Sequence, residues 1–401
     1  MLQAIAIGAT TLAALAALMI PSVRKARAWR ATVTPLASII GSGFLVLGPI
    51  LSHSYGKYAP MVMLLLCLAA YAFGAAIRFN IANIDRKPER SASERRTEYF
   101  ASWALSFAYC ISVAYYLNLF GAFAVKMTPF NSPTAAKAVT SAALIVILAV
   151  GWLRGFSAME RMEQVAVSLK LAIISGLLAG LCFYFAGKAG DGDLVIMAPA
   201  ETGWTGIALA FGLIITVQGF ETSRYLGSEY KAQMRIRSMR YAQWLATAIY
   251  MAYVVLLTYA FDAETVPLTE TAIVDMMKIV SAVLPAMLIV AALSAQFSAA
   301  IADTSGAGGL VEELSGKRIS PRVAYLILVL IGLGLTWFSH IFQIISFASK
   351  AFAYYYALQC GIASVGAFRE ARAPMRGTAF AAFGILAVAV LFFGQPVEGA
   401  G

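Results

Sequence analysis

Two short runs of this sequence carry the residue types needed to hold a small charged solute with bare peptide groups. The first is SIIGSGFLVLGP, Ser38 to Pro49, and the second is IITVQGFETSRYLG, Ile214 to Gly227. Glycine permits unusual torsions and close approach, so Gly41, Ser42 and Gly43 can interrupt a helix and leave amides of the following half-helix unpaired. The positive end of that half-helix favours an anion, a carboxylate above all. Carbonyls released near Val217, Gln218 and Gly219 are acceptors that suit an ammonium group. The simpler alternative is that Gly41 and Gly43 only let neighbouring helices pack closely.

Both runs lie in apolar stretches, and so do four charged residues, Lys170, Lys350, Glu221 and Asp303. A charge at the centre of a membrane helix costs roughly 2.5 to 3.5 kcal/mol on insertion scales, so each should face a cavity or a partner. Two of each sign suggest compensation, and the expected pair is Lys170 with Asp303. Snorkelling to a helix end is the alternative for Lys170 and for Lys350, which has no evident partner. Asp303, Thr304 and Ser305 form an oxygen-rich cluster that could instead take sodium. Glu221, directly after the second interruption, is expected to accept amides of the unwound backbone, a structural or gating role. Tyr109 or Tyr115 could add a hydroxyl to the site, with packing as the alternative.

The elements that must position these residues are membrane helices. Hydrophobic residues make up 61% of the 401 and charged residues 12%, far from the roughly 25% charged of soluble domains. Runs long enough to cross about 30 Å of hydrocarbon recur at 2–20, 33–52, 60–79, 101–124, 135–153, 164–186, 204–226, 241–261, 281–302, 323–339, 342–366 and 377–394. The expected fold is therefore all-α and integral to the membrane, with about twelve spans in one domain over 1–401. The run at 2–20 lacks a charged leader and is followed by Arg24, Lys25, Arg27 and Arg30, so it reads as a retained span. The stretch 262–280 has spaced apolar residues and is expected to form a short interfacial helix.

The net charge of +10 does not point to nucleic acid, because the basic residues alternate between loops. Alternate connections hold 23 of the 30 Lys and Arg, and the others hold only Lys57, Lys126, Lys137, Lys188 and Lys278. By the positive-inside rule the rich set is cytoplasmic and both termini lie outside. Cys67, Cys110, Cys182 and Cys360 all fall in expected spans and imply neither disulfides nor zinc.

Set on each other, Gly43-Phe44 matches Gly219-Phe220, with five helices from the start of one unit to the start of the next. With 2–20 as an addition, the interruptions fall in core helices one and six, which begin on opposite membrane sides. That is the arithmetic of an inverted five-plus-five repeat, 33–200 and 201–370, followed by an extra helix at 377–394.

The GSGF run, the QGFE run and the stretch MERMEQVAVSLKLAIISGLLAG around Lys170 resemble the amino acid/polyamine/organocation superfamily, whose members have the LeuT-type fold. The resemblance covers about 33 to 370 in helix order. It departs after the eighth core helix, where ADTSGAGGLVEELSGKRISPR stands in place of a Ser-Arg pair before a Leu-Pro ending. The resemblance implies that the Lys170 ammonium replaces a sodium ion beside the broken first helix, donating to carbonyls near Ala37 and Ile40. A lysine held between desolvation and a carboxylate can exchange protons.

The function expected is proton-linked or exchange transport of an amino acid or related amine by alternating access, in a bacterial inner membrane. No cofactor is expected, and the proton is favoured over sodium as the coupling ion. A carrier of inorganic cations or other polar solutes, or a sensor that binds without transporting, is the alternative. With only His53 and His340, no metal pair or Ser/His/Asp constellation promotes an enzyme.

Overall fold

A computed structural model describes residues 2–41, 43–84, 92–153, 160–226, 230–369 and 373–397, with the backbone alone for 2, 84, 93, 160–165 and 264. Among them are sixteen α-helices: α1 Leu2–Met19, α2 Pro21–Arg24, α3 Arg27–Ile39, α4 Gly43–Tyr55, α5 Ala59–Ile84, α6 Ala92–Val125, α7 Pro133–Leu153, α8 Glu160–Asp191, α9 Gly203–Gly212, α10 Thr222–Tyr225, α11 Ala232–Thr258, α12 Ala272–Val280, α13 Leu284–Leu314, α14 Pro321–Phe338, α15 Ile341–Arg369 and α16 Pro374–Phe393. Short 3-10 turns cover Gly56–Tyr58, Ile214–Val217 and Ala263–Thr265. Proline opens α14 and α16, where a missing N–H costs no helical bond.

Eight helical segments of the described residues are long and apolar enough to cross a membrane, and the chain is an integral membrane protein. Twelve spans were expected, and the difference has physical causes. Helix α1 counts only as a shorter apolar helix, Gln3–Met19; α4 runs on into α5 as one segment, Gly43–Asn83; the second glycine-containing run leaves α9 and α10 too short; and α15 carries polar residues such as Gln343, Ser349, Lys350 and Gln359. Helices also outrun the apolar stretches: α6 starts at Ala92 rather than 101, and α13 continues to Leu314 rather than 302. Hydropathy marks the part of a helix that meets hydrocarbon, and the helix itself continues into the polar zone.

Burial orders the layers. In α6, 83% of the most apolar window is buried inside the protein, against 22% in α16, so α6 is central and α16 peripheral. Helix α6 packs on α13 and α15, α11 packs on α3 and α5, and α1 lies along α8, where Gln3 Nε2 donates to the Gly180 carbonyl. Outward faces of the peripheral helices carry Leu330, Ile385 and Phe392, all exposed and apolar, as a lipid-facing surface requires. The short helix α12 has one face of Ile273, Val274 and Met277 fully buried, and Lys126, just past α6, pairs with its Asp275 at 2.6 Å.

Candidate functional site

The two interruptions meet in the middle of the protein. Helix α3 ends with the Ile40 amide on the Leu36 carbonyl, Gly41 follows, and α4 starts at Gly43. Ser42, the middle residue of that run, lies outside the described residues. On the other side α9 stops at Gly212, tightens through Ile214–Val217, extends at Gln218 (ψ 176°) and turns at Gly219 with φ +117° before α10. That torsion is open to glycine and strained for other residues. A Cβ on Gly219 would stand 2.5 Å from the Ser38 carbonyl carbon and 2.6 Å from the Ile39 nitrogen. Reciprocally, a Cβ on Gly43 would stand 2.9 Å from Thr216 Cα and 3.0 Å from the Tyr115 hydroxyl. Each interruption therefore presses its glycine against the backbone of the other.

Side chains from flanking helices serve the peptide groups that the interruptions release. The Tyr250 hydroxyl of α11 lies 3.0 Å from the Ile39 carbonyl and 2.6 Å from the Thr216 carbonyl, so its single proton is shared between the two broken elements. Ser349 of α15 donates to the Gly212 carbonyl at 2.6 Å and accepts from the Ile215 amide at 3.0 Å. Gln218 donates to the Tyr116 hydroxyl at 2.9 Å, and its own side-chain oxygen is buried with no protein partner among the described residues. Val217 is buried in the same turn.

Of the four charged residues, three are buried around this meeting point. Lys170 of α8 donates from Nζ to the Ala37 carbonyl at 2.9 Å. That carbonyl is the one immediately after the last rung of the α3 ladder, so the interruption frees it. Ile40, fully buried, is the last residue before Gly41. Glu221 is fully buried. Its Oε2 accepts from the Gly219 amide and the Tyr356 hydroxyl, both at 3.0 Å, and its Oε1 has no protein partner among the described residues. Asp303 of α13 accepts a hydrogen bond from the Ser112 hydroxyl of α6.

The expected Lys170–Asp303 pair is not among the ion pairs of the described residues. The α6 hydroxyl takes the carboxylate, while the ammonium reaches the α3 carbonyl. Within the expected oxygen-rich cluster, Thr304 donates to the Ala300 carbonyl of its own helix at 2.6 Å, and Ser305 is half-buried. The Tyr109 ring packs edge-on to Phe352 at 6.0 Å and over Gly306. Lys350 lies apart from the cluster, on a groove at the protein's surface.

A family model described as APC superfamily transporter matches residues 21–394. The chain belongs to the APC superfamily of transporters. A relative from Aquifex aeolicus (strain VF5), an uncharacterized protein, is 38% identical over 391 residues, covering 94% of this chain and 93% of its own length. The solved structure of a Na+-coupled sialic acid symporter, substrate-bound and outward-open, is similar in fold with a TM-score of 0.57. It is 14% identical, and the match covers 100% of this chain and 99% of that one. An APC transporter moves a solute rather than converting it, in keeping with the lack of any catalytic constellation in the sequence.

Several contacts of this APC transporter were not anticipated. Arg224 of α10 binds Glu98 of α6 through Nε at 3.1 Å and through a second guanidinium nitrogen, and Arg235 donates to the Arg224 carbonyl at 2.7 Å. Arg78, counted with a loop in the charge census, is buried in α5 against Gln243 of α11. Both arginines sit near the ends of apolar runs, where a loop assignment and a helix assignment leave the same sequence pattern. The bridging roles of Tyr250, Ser349, Ser112 and Tyr356 had no spacing signal at all.

Proposed function

We propose that this APC transporter carries an amino acid or a related amine-containing solute by alternating access, with proton coupling or exchange in place of sodium. The observation that carries the reading is the reciprocal seating of Gly43 on Thr216 and of Gly219 on Ser38, which brings two interrupted helices together. The amides of Gly41, Ser42 and Gly43 take the carboxylate, and the carbonyls of Val217, Gln218 and Gly219 take the ammonium group, with Tyr109 at the edge of the site. Glu221 holds the second interruption in shape through the Gly219 amide. Lys170, with its ammonium on the Ala37 carbonyl, supplies the positive charge that a sodium ion would otherwise bring.

In this reading the spans number twelve, 33–200 and 201–370 form an inverted repeat, and the helices at 2–20 and 377–394 are additions to one membrane domain. Both termini face away from the cytoplasm of a bacterial inner membrane. Sodium coupling, named for the symporter of similar fold, is the alternative.

A thermal-shift screen of the purified protein against the twenty amino acids, polyamines and sodium tests the proposal. Stabilisation by one or a few amino acids without sodium is expected, since a ligand that binds only the folded state raises its stability. Stabilisation by sodium alone, or by no amine, contradicts it.

A further inference from the structure

Lys350 takes no part in the central site. It shares a face of α15 with Phe347, three residues before it, and Tyr354, four after it, and these are 41% and 45% exposed. The lysine thus lies on the lipid-facing stripe of the helix. It lines a groove of about 470 Å3 together with Phe107 of α6, Leu335 of α14 and Leu391 of α16. The remaining lining residues are also apolar or aromatic, with no Asp or Glu among them. The ion pairs of the described residues do not include Lys350. A cation turned toward hydrocarbon without a counter-charge is costly, and none of the described residues supplies that charge, which leaves room for one from the surrounding lipid.

Depth selects its source. With 29 residues, α15 is about 43 Å long at 1.5 Å per residue, against about 30 Å of hydrocarbon. Centred across that slab, the helix places the Lys350 Cα about 7 Å inside the boundary nearer Ile341. A four-carbon stem lying along apolar surface lifts the ammonium to the level of lipid phosphates. The apolar walls of the groove then lie beside the acyl chains of the same leaflet.

The geometry points to a binding site for one anionic phospholipid, with its phosphate on Lys350 Nζ and an acyl chain in the groove between α6, α14, α15 and α16. Charge-assisted contact with the phosphate sets the preference for an anionic headgroup, and the groove supplies affinity that is indifferent to the headgroup.

The test uses the full chain in nanodiscs of phosphatidylcholine containing a minor fraction of phosphatidylglycerol, with retained lipids counted by native mass spectrometry. The wild-type protein should keep phosphatidylglycerol over phosphatidylcholine by about fivefold, the worth of one lysine near an anionic surface. Lys350→Gln should lose that preference and Lys350→Arg should keep it. Ala104→Phe, which fills the groove from the α6 side, should reduce retention of both lipids. Should Lys350→Gln fail to fold, the arginine and groove-filling variants still decide. Equal retention by wild type and Lys350→Gln overturns the proposal, as does unchanged retention in Ala104→Phe. Displacement of phosphatidylglycerol by an equal amount of oleate overturns the choice of a phosphate headgroup.

Discussion

Replacing Gly219 by alanine adds one methyl group at the point where the two interruptions touch. Two costs follow from the geometry. The residue holds φ +117°, a conformation that costs a residue with a side chain about 1 to 3 kcal/mol. The new Cβ would lie 2.5 Å from both the Ser38 carbonyl carbon and Ser38 Cβ, so backbone of α3 must move, an overpacking cost of about 1 to 3 kcal/mol. Together they remove about 2 to 6 kcal/mol from a total that is typically about 5 to 15 kcal/mol. The comparison is Gly41→Ala, whose Cβ would meet nothing closer than the Ser38 carbonyl oxygen at 3.0 Å, for a cost of about 1 kcal/mol. Thermal unfolding can be followed with a thiol-reactive dye, because Cys67, Cys110 and Cys360 are free and buried. Gly219→Ala should unfold well below Gly41→Ala and should take up no solute at temperatures where it remains folded. A Gly219→Ala protein with wild-type unfolding temperature and uptake would refute the contact between the two interruptions.

Tyr250→Phe removes the hydroxyl between the Ile39 and Thr216 carbonyls, leaving a buried acceptor unpaired. A loss of about 1 to 3 kcal/mol is expected in the same assay, and no loss would show that the hydroxyl bridges nothing. Lys170→Ala should flatten the pH profile of uptake while the protein still inserts in membranes, and an unchanged profile would exclude the coupling role. Burial alone would raise the Asp275 carboxyl, but hydrogen bonds from Lys126 and Lys278 outweigh it and hold the group below its ordinary value of 3.8. The stability that these contacts give is therefore fully present above that value and is lost as pH falls through the lower folded value. Asp275→Asn should be less stable than wild type between pH 5 and 8 by a constant amount, with the gap closing only in stronger acid; a gap that closes near neutrality would contradict the assignment.

What could be read in the sequence follows from what membranes penalise. Gly41, Gly43 and Gly219 stand out because glycine within an apolar run weakens a helix, and Lys170 stands out because its charge in a span is expensive. Neither cost reveals which partner relieves it. Asp303 was matched to Lys170 by sign, yet the Ser112 hydroxyl of the neighbouring helix α6 donates to the carboxylate, and serine in a helix attracts no notice. Tyr250 and Ser349 escaped for the same reason: a single hydroxyl among many gains meaning only when two distant backbones converge on it. The Arg224–Glu98 contact was missed because Glu98 precedes the apolar run at 101–124, although helix α6 already begins at Ala92.

The two interruptions are proposed to hold an amine-bearing solute whose movement does not need sodium. The most direct test is uptake of the amino acid that best stabilises the protein into proteoliposomes under an imposed pH gradient, without sodium, beside a matched set with sodium and no pH gradient. Accumulation is expected in the first set, abolished by Gly219→Ala. Accumulation that appears only in the second set, or in neither, would contradict the proposal.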